Sequence, residues 1–483
     1  MSTRRWSLCL LFGPAALAAA QVPVLVPVPA IIKDVNEISD GSGGGNGSTS
    51  GAPRRTGSSL PDEIVRVGTN KAFFAATGDT IGRELWCYSP VATDPAWFDL
   101  LAGGPVPVSS DPRLLTPVGG SAFLAANVIE DTVSDGETVR VFRERLLLAN
   151  GTSQPTPVAL TAGPDVYAVQ DIAPVGSTAI FALWSSNKTG FWRSSTTAAQ
   201  LVVETNQYRM VGDMLDCGYD SAGGFIAFTS MPNDPPVRRV LVALKKTTPA
   251  TFTTIHTGEV DNLTADGTAA HFTAEVEGTH LLYRWTTAAP LQELHASPQP
   301  IRHLMPAVFN TENRLYFVTE TSGGLQEVYR AYSGSIRVVK WPTGTSDVSV
   351  TDAVVAQGIP HVLGTGVSGD ARFWAIWRVN SAGDAMQILK LLPGWGGCSQ
   401  LVANSAGKMA FIGHYHASAP DLRRTHLGFV TVDAGGAWQV TAAPIPDLSE
   451  GSVPSSLLAL DTRVVFSAAH RLMGIEPWHC DFP

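Results

Sequence analysis

From about residue 62 onward the chain keeps returning to one short pattern: a turn rich in Gly, Asp or Asn, an apolar β-prone run, then a second run bearing aromatics. The first runs are Ala72-Phe73-Phe74-Ala75, Ala122-Phe123-Leu124-Ala125, Ala179-Ile180-Phe181-Ala182, Phe225-Ile226-Ala227-Phe228 and Ala270-His271-Phe272-Thr273. Leu315-Tyr316-Phe317-Val318, His361-Val362-Leu363-Gly364, Ala410-Phe411-Ile412-Gly413 and Val464-Val465-Phe466-Ser467 continue the series. These nine runs begin 45 to 57 residues apart, a drift that surface-loop insertions absorb and that unrelated domains would not produce. Within a unit four strands are expected; in the first they fall at 64–68, 71–76, 83–88 and 96–101, with turns at Thr69-Asn70 and Gly78-Asp79. The runs are nearly continuously apolar where a half-exposed strand would alternate, so both faces of each sheet must be covered by neighbours. Four-stranded units of this period, stacked around an axis, predict an all-β fold, a β-propeller of eight to nine blades over 62–483.

The final unit offers strands at 457–460, 464–468 and 475–480 but no fourth. Residues 30–35 match the missing outermost strand, so the ring is expected to close by an N-terminal strand that hides an otherwise open edge. Between it and the first blade, 41–59 is dominated by Gly and Ser and reads as a linker, which makes 21–61 a closing strand plus linker. Residues 1–20 read as a secretory signal: Arg4 and Arg5 start it, Leu8, Leu10, Leu11 and Phe12 form its apolar core, and Ala18-Ala19-Ala20 offers a cleavage site.

Composition narrows the partners. The formal charge of −9 would become −11 once Arg4 and Arg5 were removed, and no Lys/Arg-rich run exists to follow a phosphate backbone, so nucleic acid is a poor partner. No later stretch holds about 18 uninterrupted apolar residues, so no membrane span is expected and the protein should be secreted or held at the cell surface. Cys87, Cys217, Cys398 and Cys480 would remain after cleavage; an oxidising compartment permits disulfides in three pairings, and buried free thiols are the other reading. Asn46, Asn150, Asn187 and Asn262 lie in N-x-S/T sequons.

Gly82-Arg83-Glu84-Leu85-Trp86 and Gly474-Ile475-Glu476-Pro477-Trp478-His479-Cys480-Asp481, with Ile31-Ile32-Lys33-Asp34-Val35 and Phe73-Phe74-Ala75-Ala76, resemble the bacterial ELWxxDGT (hyalin-like) repeat family. Thr189-Gly190-Phe191-Trp192, Leu282-Tyr283-Arg284-Trp285 and Phe373-Trp374-Ala375-Ile376-Trp377 echo its aromatic strand, while Ser89-Pro90 and Phe482-Pro483 stand where the DGT tail would be. The resemblance implies a repeat fold and export, and little chemistry.

Candidate chemistry is sparse. Counting nine residues back from each run reaches four acids, Glu63, Asp216, Asp261 and Asp352, which would ring one mouth of the central channel and draw a cation or cationic ligand. The competing use of such acids is to bind turn amides at strand entry. His414 and His416 share one side of a strand but lack a third metal ligand. Asp131 to Glu137 reads as a solvated hairpin insertion, its carboxylates off the spacing of a calcium loop. Glu84 and Glu476 repeat beside Trp86 and Trp478, which favours packing of Trp between blades and a Glu bonded to a neighbouring turn over a paired-carboxylate glycosidase. No Gly-x-Ser-x-Gly elbow, P-loop or His-Glu-x-x-His occurs, and no cofactor or metal is implied. The expectation is an exported propeller that binds or scaffolds a protein, glycan or envelope component; the alternative is an extracellular propeller hydrolase or lyase acting on a polysaccharide.

Overall fold

A computed structural model describes the dipeptides Val24–Leu25 and Ala30–Ile31 and residues 61–483, apart from 79–81, 91–94, 99, 102–108, 135–136, 162, 221–222, 233–238, 247–248, 310, 333–334, 416–424, 434, 446–453 and 471–473. The signal-like 1–20, the Gly/Ser segment 41–59, residues 32–35 and His416 therefore lie outside the described residues.

Every assigned element among the described residues is a strand, and the strands form nine antiparallel sheets of four consecutive strands or their equivalent. The innermost strands are Asp62–Val67, Arg113–Val118, Ala168–Val175, Tyr208–Asp220, Asp261–Ala265, Arg302–Phe309, Ser346–Ala356, Trp395–Ala403 and Ser455–Ala459. Each touches the next, and the ninth touches the first, so the sheets are blades of a closed ring. Blade number, nine, settles the upper of the two expected counts.

The two-sided burial expected from the apolar runs is what holds the ring. Nine apolar clusters exist, one at each blade-to-blade junction. Second strands feed both sides by alternation: Phe73 enters the cluster shared with blade 2, while its neighbour Phe74 enters the one shared with blade 9. Third-strand tryptophans repeat one role, because Trp86, Trp192, Trp285, Trp377 and Trp478 each pack against the preceding blade. Glu84, fully buried, accepts from Leu100 N (3.2 Å), Ser110 N (3.2 Å) and Ser110 Oγ (2.7 Å), pinning the connection from blade 1 to blade 2. That is the structural role its repetition beside Trp86 implies.

Closure uses the N-terminal segment as expected: Ala30 and Ile31 pair antiparallel with His479 and Trp478 and supply the fourth strand of blade 9. Two additions were not legible in the sequence. Val24–Leu25 runs parallel beside Thr441 and Ala442 on blade 8, and Ala159–Leu160 runs parallel beside Ala198 and Ala199 on blade 3, giving each a fifth strand. The Asp131 to Glu137 segment is the tip of the long hairpin Ser121–Ser134 and Glu137–Ala149, which leaves Val133 and Phe142 largely exposed. The four cysteines are buried free thiols in four separate blades.

Candidate functional site

The innermost strands share a local irregularity that organises one face of the ring. In all nine blades their pairing with the second strand skips, and in eight of them the residue just after a skip begins has positive φ: Glu63, Leu114, Met210, Asp213, Asn262, His303, Asp347, Gln400 and Ser456, with φ between 45° and 57°. Such a bulge turns side chains out of the pleat. Because the sheets are antiparallel meanders, the starts of innermost strands, the turns between second and third strands and the blade-to-blade connections share this face, here called the upper one.

The bulges and their neighbours tie blade to blade. Glu63 Oε2 accepts from Leu115 N (3.0 Å), Gln170 Oε1 from Val211 N (3.3 Å) and Asp171 Oδ2 from Met214 N (2.6 Å). Asn262 Nδ2 donates to Ile301 O (3.1 Å), Asp352 Oδ2 accepts from Leu401 N (2.6 Å), and Gln400 Nε2 donates to Pro454 O (2.8 Å). Six side chains thus bind the main chain of the following blade. Burial lifts the Glu63 carboxyl above its ordinary pKa, with Asp62 adding to the rise and the Leu115 and Leu114 amides and Arg83 opposing it. Burial likewise lifts Asp171, against the pull of the Met214 and Ile172 amides.

Blade 4 arranges its bulge differently from blades 1, 5 and 8. Its bulge residue Asp213 turns back onto its own blade, where Oδ2 accepts from Thr229 Oγ1 (2.7 Å) and from Arg239 Nη2 (3.3 Å). Arg239 also reaches Thr229 Oγ1 (3.2 Å) and, at 3.5 Å, Glu259 on the connection to blade 5. Between blades 4 and 5 a cleft of about 510 Å³ opens, lined by Asp213, Thr229, Arg239, Asp261 and Asn262 over an apolar floor that includes Met214, Leu215 and Leu263. It presents acceptors, a guanidinium and a hydroxyl around a partly apolar trough, a set suited to a polar ligand.

The four acids singled out by counting do not form one ring. The bulges consume different numbers of residues, so equal counts reach different depths: Asp216 pairs opposite Ile226, Asp261 opposite Thr273 and Asp352 opposite Leu363. Glu63 and Asp352 are inter-blade ties, the amide-binding use that competed with the channel-mouth reading. Asp216 accepts from Gly218 N (2.9 Å) and is ion-paired to Lys246, whose side chain is 2% exposed. Asp261 alone of the four opens on the cleft. Asp213, Thr229 and Arg239 were missed, since 26 residues separate the acid from the arginine and only the strand pairing unites them.

The chain is thus a nine-bladed β-propeller with an inter-blade cleft on its upper face. No protein-family model matches it, and no curated protein does. Among solved structures it is similar to an ancestral GH74 enzyme (11% identity, TM-score 0.34, over 85% of this chain and 70% of that one). It is also similar to an oligogalacturonate lyase from Vibrio parahaemolyticus (13%, 0.38, 74% and 97%) and to a prolyl endopeptidase (12%, 0.41, 85% and 54%). At such scores none of these likenesses bears on activity.

Proposed function

We propose that this propeller is an exported binding or scaffolding module, of the ELWxxDGT-like kind, that engages a protein, glycan or envelope component through the upper-face cleft between blades 4 and 5. The observation that carries the reading is that Asp213 does not take the inter-blade role that Glu63, Asn262 and Gln400 take at the same bulge position. Glu63, Asn262 and Gln400 stand at bulges and bind the next blade, whereas Asp213 with Arg239 and Thr229 frames an opening beside the exposed Asp261. Rigid strands position these groups, which limits the ordering cost of binding. A glycan and peptide array, followed by a depolymerisation assay on any polysaccharide that binds, tests the proposal. Binding without turnover, weakened at least tenfold in Asp261→Ala and Arg239→Ala, is expected. Release of shortened products would overturn it in favour of a hydrolase or lyase.

A further inference from the structure

The second and third strands of blade 1 run for 8 and 7 residues, whereas those of blade 2, Ser121–Ser134 and Glu137–Ala149, run for 14 and 13. The innermost strand of blade 2 accompanies this hairpin only as far as Ala125, and the outermost, Thr156–Pro157, only as far as Leu147. The seven rungs from Val128–Arg143 to Ser134–Glu137 therefore rise from the upper face as a two-stranded ribbon with unbroken register. At about 3.4 Å per residue the ribbon adds on the order of 20 Å, and such a ribbon is only marginally stable by itself.

Leu146 shows which main-chain groups lie on its outer edge. Its N–H donates to the Tyr167 hydroxyl (3.3 Å) and its carbonyl accepts from Val158 N (2.9 Å), so both point away from Ser121–Ser134. Alternation over the unbroken register turns the N–H and C=O of Phe142, Arg140 and Thr138 the same way. Among the described residues no strand pairs with 137–143 on that side. The strand order of the blade directs this edge away from the ring axis, where another molecule can reach it. Native sheets guard such edges with bulges, Pro or Lys. Residues 137–143 have none of these, and they expose Val139 at 41% and Phe142 at 53%.

We propose that this edge pairs antiparallel with the same edge of a second copy of this chain, about a two-fold axis at Arg140. That register uses all of 137–143 and sets Glu137 against Arg143, Thr138 against Phe142 and Val139 against Val141 of the copy, with the reverse contacts by symmetry. The outward groups belong to even-numbered residues, so the odd-numbered ones meet at non-hydrogen-bonded positions, where side chains stand closest. Two ion pairs and two valine contacts thus form at short range. The one like-charge contact, Arg140 with its copy, is flanked in each chain by Asp131, 3.4 Å from the guanidinium. Centring on Val139 or Val141 instead would give up two rungs and both ion pairs. Because each edge is used by the other, the assembly closes at two copies.

Sedimentation equilibrium of the purified protein provides the test. A reversible monomer–dimer equilibrium with no larger species is expected. Glu137→Arg, which sets arginine against Arg143 at both ends, should weaken the dimer at least tenfold, and combining it with Arg143→Glu should restore most of the loss. Arg140→Thr removes the like-charge contact and should tighten the dimer. Phe142→Pro deletes an outward N–H while sparing the bonds to Ser121–Ser134 and should abolish it. Val308→Ser, at an exposed position on the lower face, should leave it intact. A monomer at every concentration, assembly that grows past the dimer, a dimer indifferent to either Glu137→Arg or Phe142→Pro, or no recovery in the double charge reversal would overturn the proposal.

Discussion

Asp352→Ala separates the two uses weighed for the acids of the innermost strands. Its carboxylate accepts from Leu401 N at 2.6 Å, across the junction of blades 7 and 8, and from Ala353 N at 2.7 Å within its own strand. Leu401 is 4% exposed, so truncation leaves a donor with poor access to water. A hydrogen bond to a charged group contributes about 1.5–3 kcal/mol, which sets the expected loss near 2 kcal/mol. For a ring of this length the unfolding entropy is on the order of 0.9 kcal/mol/K, so the melting temperature should fall by only about 2 °C, and denaturant midpoints are the better readout. The matched control is Asp261→Ala, whose side chain opens on the cleft and whose loss should change stability by under about 0.5 kcal/mol. If Asp352→Ala proves as harmless as Asp261→Ala, Asp352 is not an inter-blade tie and the account of the upper face fails.

Three further outcomes are expected. Burial, with a smaller contribution from Arg378, depresses His361 to about 4 against the opposing pull of the Ile359 carbonyl. A histidine whose folded pKa is lowered contributes stability that is fully present above its unfolded value near 6.5 and is lost as pH falls from there toward 4, here up to about 3 kcal/mol. Urea melts at pH 7 and 4.5 should show that loss shrinking in His361→Gln, and an unchanged pH slope would contradict the burial. The thiols of Cys217, Cys398 and Cys480 are pushed up to about 12 and that of Cys87 to about 11, chiefly by burial, so iodoacetamide should label them only after unfolding; rapid native labelling would contradict their placement. At Gly218, φ is +76° and a Cβ would meet Gly267 O at 1.8 Å. Gly218→Ala should therefore cost about 2–4 kcal/mol by denaturant unfolding, and a loss below about 1 kcal/mol would refute that close approach of blades 4 and 5.

The sequence carried the ring because propeller strands buried on both sides cannot alternate: Ala72 to Ala76 or Phe225 to Phe228 had to read as solid apolar runs. The third-strand tryptophans were legible for a related reason, since a repeated junction geometry takes the same bulky filler in five of the nine blades. What sequence could not carry was depth. A bulge adds residues without adding height, so Asp216, reached by the same count as Asp261, ended on the buried ammonium of Lys246. The sequon at Asn262 misleads in the same way, for its amide already donates to Thr273 Oγ1 and Ile301 O, and a glycan there would break a blade-to-blade tie. The cleft arises from residues on neighbouring blades and left no local pattern.

How the ring closes follows from comparing the parts of the last junction. Among the described residues the N-terminal clasp pairs Ala30 and Ile31 with the edge of Gly474–Asp481. Beside it Phe74, Trp86, Leu460 and Val465 are buried to within 1% exposure, and each such side chain contributes roughly 1.5–3 kcal/mol. Asp461 adds a polar hub, accepting from Arg66 Nη2 (2.6 Å) of blade 1 and Ser405 Oγ (2.7 Å) of blade 8, while Arg463 binds both Asp481 and the Tyr88 hydroxyl. The first and last blades are thus held by the same side-chain packing as any other pair. The clasp also meets a different hazard: without it the third strand of blade 9 would offer its unpaired amides and carbonyls to other chains, so it covers an edge at a junction whose side chains are packed like those of the rest of the ring.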